Sequence, residues 1–170
     1  PGRRGGAANA ARARLKSRAR VDAQRSVLWG TSFGGGHIVD LAAAHPDLQG
    51  AIIQVPMLDG RATVKAVPLP RLMRFMATGI ADLLKPGAAI LIPTVARQGA
   101  FGSMDRDNAW EALQLGLAAH DGMKYVNRVT ARSLLTMGFY RPCTRLKHVK
   151  IPMLIVGAIR DTVAPFVEDE

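Results

Sequence analysis

The chain has 170 residues, 48% of them hydrophobic, and a formal net charge of +10. A mean hydropathy near zero fits a folded globular domain and excludes a disordered polar segment. No run reaches the roughly 18 uninterrupted apolar residues of a membrane span, and a single cysteine, Cys143, excludes an internal disulfide.

The N-terminal residues show no secretory signal pattern, so the expected location is cytoplasmic, with no membrane partner. "PGRRGGAAN" reads as a loose end, and "AARARLKSRAR" as a run of helix formers with only Leu15 and alanines for an apolar face. Residues 1–26 hold eight basic side chains against Asp22 alone, so most of the net charge belongs to this segment. A nucleic-acid arm is one reading of it. No aromatic residue is present to stack on a base, and a solvated face is favoured over nucleic-acid binding.

Residues 26–30 form a short apolar run with strand character, and 34–44 a helix with Ile38, Leu41, Ala42 and His45 at three-four spacing, stopped by Pro46. Residues 50–56 supply a second buried-strand candidate. Strand, helix and strand within about 30 residues make a βαβ unit and hence a parallel sheet. The middle of the chain predicts helices over 71–84, 105–120 and 123–136. In the first, Leu72, Phe75, Met76, Ile80 and Leu83 share a face; in the second, Asp105 or Asp107 is positioned to cap. Residues 88–93 fit a short strand or a buried turn. Sheet grammar returns at 153–157, with Pro152 at the strand's start, where a missing N–H is tolerated.

Gly30-Thr31-Ser32-Phe33-Gly34 matches G-x-S-x-G at a strand-to-helix junction. That spacing suits a very tight turn. The serine is held in a strained conformation that projects its hydroxyl, and the glycines two before and two after it avoid a collision. Amides at the start of the following helix favour negative charge there, and the Phe33 N–H is a natural oxyanion donor. Neither a Walker-type nor a dinucleotide-binding glycine pattern is matched. No histidine, cysteine or carboxylate spacing suggests a metal, and no cofactor is expected.

The stretches "VDAQRSVLWGTSFGGGHIVDLAAAHPDLQGAIIQVPMLDG" and "YRPCTRLKHVKIPMLIVGAIRDTVAP" resemble α/β-hydrolase-fold enzymes, near the dienelactone-hydrolase and acyl-peptidase-like branches with a helical insertion. The resemblance covers about residues 21–59 and 138–166 and does not extend to 1–20. It implies an α/β core fragment of about three parallel strands from 21–56 and 150–170, with 57–149 as a helical lid or insertion. It also implies hydrolysis of an ester, thioester or amide of a small acyl substrate through an acyl-enzyme on Ser32. Asp161, just past the strand 153–157, is placed where the family carries its carboxylate. Asp59, after the strand 50–56, is the alternative acid, or equally a turn residue beside Gly60.

The base does not fall into place. His37 lies five residues beyond the serine on the same helix, His45 ends that helix, His120 closes a middle helix, and His148 precedes the last strand at the wrong end of the sheet. No histidine follows Asp161, where the chain order of this fold puts it. The expectation is a piece of a longer hydrolase that supplies the histidine and a second oxyanion donor elsewhere, with a non-catalytic remnant or assembly partner as the alternative.

Overall fold

The computed structural model describes residues 6, 9–10, 13–14, 22, 25–85, 87–106, 108–120 and 124–159. The chain forms two units, Pro1–Thr63 with Phe139–Glu170, and Val64–Gly138.

The first unit is built on a parallel sheet. Strand β1 (Val27–Thr31) leads through helix α1 (Phe33–Ala44) to β2 (Gly50–Gln54), and β5 (Met153–Val156) joins the far side of β2 in the order β1-β2-β5. The βαβ expectation holds, with strand edges one or two residues from those read off the sequence. Ile38, Val39, Leu41 and Ala42 of α1 form a core with Leu48, Ala51, Ile53 and Ile151. Val39 and Ile53 are fully buried. Helix α1 therefore rises from the pattern that predicts it, an apolar face at three-four spacing packed on alternating strand residues.

Strands β1 and β5 are not buried on both faces, which corrects the buried-strand reading for them, whereas β2 is largely buried as expected. In register, Trp29 lies beside Ile52, and Ile52 beside Leu154. Trp29 is 62% exposed and Leu154 57%. The side chains alternate across the sheet, so those next to Ala51 and Ile53 meet α1 while their neighbours point the other way. The start of a short helix, α2 (Gly60–Lys65), and a 3-10 helix over Pro142–His148, packed on α1, complete this unit. Neither was legible as a periodic run.

The second unit holds α3 (Leu69–Leu84), α4 (Ala109–Ala119) and a two-stranded antiparallel ladder of β3 (Leu91–Ile92) with β4 (Val129–Thr130). The helix expected over 123–136 does not form. Residues Val129–Thr130 are strand, and Ala131–Phe139 is a 3-10 helix. The reason is competition for backbone donors: the Ala131 N–H goes to the Ile90 carbonyl at 2.8 Å and the Arg132 N–H to the Asp82 carboxylate at 2.8 Å. Asn127 adds two bonds to the Val95 backbone, 2.8 and 2.7 Å, and holds the approach to β4 extended.

Two further expectations change here. Helix α4 begins four residues later than the predicted start at 105. Asn108 sits at its N-cap in a left-handed conformation without a capping side-chain bond, and Asp105 pairs with Arg71 instead. Asp107 lies outside the described residues. On α3 the buried residues are Phe75, Gly79 and Asp82, whereas Met76, Ile80 and Leu83 face outward. Gly79 is on the inner face because Leu135 comes so close that a Cβ there would stand 2.7 Å from its Cγ.

Candidate active site

Ser32 sits between the end of β1 and the first residue of α1, with φ 51° and ψ −125°. For a residue with a side chain this is a sparsely populated conformation that costs on the order of 1–3 kcal/mol, so the surroundings must hold it. They do: its N–H donates to the Gln54 carbonyl at 2.9 Å, and its carbonyl accepts from the Met57 N–H at 3.0 Å and the Gly36 N–H at 3.4 Å. The segment leaving β2 thus pins both sides of the serine while its side chain stays exposed. Val55, in that same segment, also has positive φ, 38°. Strain in a β-branched residue here marks the same sheet end, and nothing in the sequence pattern pointed to it.

The glycines divide. A Cβ on Gly30 would stand 2.6 Å from Ile38 Cγ1 and 2.9 Å from the Gly34 carbonyl oxygen, so the crowding expected at the position two before the serine is present. A Cβ on Gly34 meets nothing within 4 Å. The pattern's second glycine is therefore not required by contacts of its own side chain. It is Gly35 and Gly36, outside the motif, that have no room: a Cβ would lie 2.9 Å from Pro56 Cβ at the first, and 2.6 Å from both the Met57 carbonyl oxygen and the Tyr140 hydroxyl at the second. They allow the start of α1 to approach the chain that leaves β2.

The Phe33 N–H opens the helix beside the serine, where the helix dipole favours an anion. The Phe33 ring lies 4.5 Å from the Tyr140 ring and 4.9 Å from the His37 ring, and the Tyr140 hydroxyl is 3.0 Å from His37 Nδ1. His37 is thus engaged one turn below the serine as a packed, hydrogen-bonded group.

Asp59, the alternative acid, is held by arginine. Arg141 Nη2 donates to its carboxylate at 2.8 Å and Nε at 3.1 and 3.2 Å, and the Arg61 N–H adds a bond of 2.8 Å. The Arg141 guanidinium holds the Asp59 carboxyl below the usual carboxylate range. No sequence pattern signals this pair, because 82 residues separate its members. A group whose native pKa is lowered stabilises the fold above its unfolded value and loses that effect as pH falls through the native one. Stability of this unit is expected to fall on acidification below about pH 4, and Asp59→Asn to flatten that slope in pH-resolved urea melts. An unchanged slope would mean that the pair does not link protons to folding.

Of the remaining histidines, His45 Nε2 bonds Asn9 Oδ1 at 2.7 Å, His120 Nδ1 meets the Gly116 carbonyl at 3.0 Å, and His148 is exposed at the end of its 3-10 helix. No hydrogen bond joins a histidine to the Ser32 hydroxyl among the described residues. Asp161 lies outside the described residues. No group of three or more His, Cys, Asp or Glu suited to a metal occurs among the described residues. A cavity of about 330 Å³ opens at the other end of the sheet, lined by Val27, Gly50 and Pro152 among others, and does not include Ser32. Among the described residues no helix is long and apolar enough to cross a membrane.

No protein-family model matches the chain. It is 30% identical over 162 residues to the quorum-quenching protein AidA of Acinetobacter baumannii (strain MDR-ZJ06), covering 92% of this chain and 52% of that protein. Among solved structures it is similar to DcsB in complex with its substrate analogue, at 20% identity and a TM-score of 0.73 over 95% of this chain and 55% of that one. It is also similar to the α/β hydrolase GrgF from Penicillium sp. sh18, at 19% identity and a TM-score of 0.65 over 95% and 54%. The chain spans about half the length of the proteins it matches.

Proposed function

The chain has the α/β-hydrolase fold, and on that premise we propose that it carries the nucleophile half of a serine hydrolase cleaving an ester, thioester or amide. Ser32 attacks the acyl carbon, and the Phe33 N–H donates to the oxyanion that forms as the carbonyl π bond opens. The acyl group passes to the Ser32 oxygen as the leaving group takes a proton, and water then releases the acid. The observation that carries this reading is the strained turn at Ser32, held by Gln54 and Met57 with Gly30 beneath it. Strain in a residue with a side chain is retained where a hydroxyl must be presented.

Asp161 is the proposed orienting acid. Asp59 ranks below it because Arg141 occupies its carboxylate. The proposed base is a histidine outside these 170 residues, and the chain spans 52% of the length of its quorum-quenching relative. The 30% identity to a quorum-quenching protein supports a quorum signal with a hydrolysable acyl bond as the substrate class.

The test has two parts. The 170-residue chain is expected to hydrolyse a p-nitrophenyl ester barely above the buffer rate, with no further loss in Ser32→Ala. Joined to the polypeptide that supplies the base, it gains turnover, and Ser32→Ala lowers kcat by on the order of 10⁶-fold. Rapid turnover by the chain alone, abolished in Ser32→Ala, would put one of the four internal histidines in the base role. Turnover indifferent to Ser32→Ala in the longer protein rules out the serine. A second reading, a non-catalytic protein that keeps the turn, draws on the lack of a histidine bonded to Ser32 among the described residues. It predicts no turnover in the longer protein either.

A further inference from the structure

Helix α3 carries its apolar residues on the outside. Leu69, Met73, Met76, Ile80 and Leu83 repeat at spacings of four, three, four and three, and Leu84 adjoins them. Their exposures are 69, 62, 42, 45, 59 and 77%. Buried Phe75, Gly79 and Asp82 already bind the opposite side of the helix into its own unit. Water would be expected to select against so long an apolar stripe unless something covers it.

We propose that this stripe is the contact face between two copies of the chain, paired antiparallel along α3. The 3.5-residue average spacing is the repeat with which helices seat against each other, knob into hole. A two-fold axis between residues 76 and 77 sets Leu69 opposite Leu84 and Met73 opposite Ile80. Met76 then meets Ala77 of the second copy, a large side chain against a small one. Exposed Ala77 and Ala81 border the stripe and let the second helix come close. From residue 75 to 84 the only charge is Asp82, and it is buried, so no like charges meet across the axis. Antiparallel seating also brings each helix's positive end beside the other's negative end. The six side chains expose on the order of 600 Å² per copy, which doubled reaches the lower bound for a specific interface. An anionic lipid surface fits less well. Arg71 is bound to Asp105 and to the Gly102 carbonyl, and the Arg74 guanidinium lies 4.0 Å from the Phe101 ring centre, so the flanking cations are engaged within the unit.

The test is sedimentation equilibrium of the full chain at about 100 µM, where a dimer is expected. Met73→Glu and Ile80→Glu should each weaken association by about 30-fold, and together give a monomer with an unchanged circular dichroism spectrum. In a Cys143→Ser background, Ala77→Cys should form an inter-chain disulfide readily and Leu69→Cys should not. Three results overturn the proposal: a monomer at that concentration, a dimer that survives both glutamates, or cross-linking through Leu69→Cys alone. A monomer that sediments with phosphatidylglycerol vesicles assigns the stripe to lipid; one that does not leaves it to another polypeptide.

Discussion

Asp82→Ala is expected to unravel the unit that spans Val64–Gly138. The Asp82 side chain is fully buried and accepts from the Ile90 N–H at 2.6 Å, the Arg132 N–H at 2.8 Å, and Arg132 Nε and Nη2 at 2.9 Å each. Arg132 Nη2 also reaches the Asp82 backbone carbonyl at 2.9 Å. One carboxylate thus ties the last turn of α3 to the start of β3 and to the 3-10 helix Ala131–Phe139. Removing it strands two backbone donors and a guanidinium at once, the costliest kind of polar deletion. Amide exchange at Ile90 and Arg132 should accelerate by at least about tenfold, and the unfolding transition should broaden. Glu111→Gln, on an exposed position of α4, serves as the control and should change neither. Retained protection at both amides in Asp82→Ala would show that the carboxylate is not what holds them. The Arg132 guanidinium holds the Asp82 carboxyl far below the usual carboxylate range, so its contribution is complete at neutral pH and declines steadily as pH falls below about 4.

The second large effect is at Gly36. Gly36→Ala puts a methyl group 2.6 Å from the Met57 carbonyl oxygen and 2.6 Å from the Tyr140 hydroxyl, with Pro142 Cγ at 2.9 Å. Backbone and a proline ring cannot move aside cheaply, so α1 must shift from the chain that follows β2. Overpacking of this kind costs about 1–3 kcal/mol, measured by urea melts of the full chain. The same shift pulls at the Met57 bond to the Ser32 carbonyl, so Gly36→Ala also disturbs the turn at the serine. Gly34→Ala is the contrast. It meets open space in the same helix, and the better helix propensity of alanine should leave stability equal or raised by up to about 1 kcal/mol. Equal costs at the two positions would refute the steric account.

That contrast also shows how far a sequence pattern reaches. G-x-S-x-G located the turn and its serine, yet its two glycines are unequal in space, and the glycines that α1 needs for close packing stand outside the motif. A pattern records which residues recur, whereas a clash depends on what chain comes back against them. The same limit explains Asp59. Its place after β2 suits an acid or a turn equally, and only the return of Arg141 across 82 residues engages its carboxylate.

By itself, the sequence determined β1, α1, β2 and β5 and the strained serine between β1 and α1. Those features rest on local sterics and on apolar periodicity, which are written in neighbouring residues. Tertiary structure decided that residues 131–139 wind as a 3-10 helix, that Asp82 and Arg132 meet across 50 positions, and which side of α3 turns outward. Backbone donors go to the best acceptor within reach, and a helix buries the face its neighbours can fill. Both outcomes depend on partners distant in the chain, so neighbouring residues alone do not encode them.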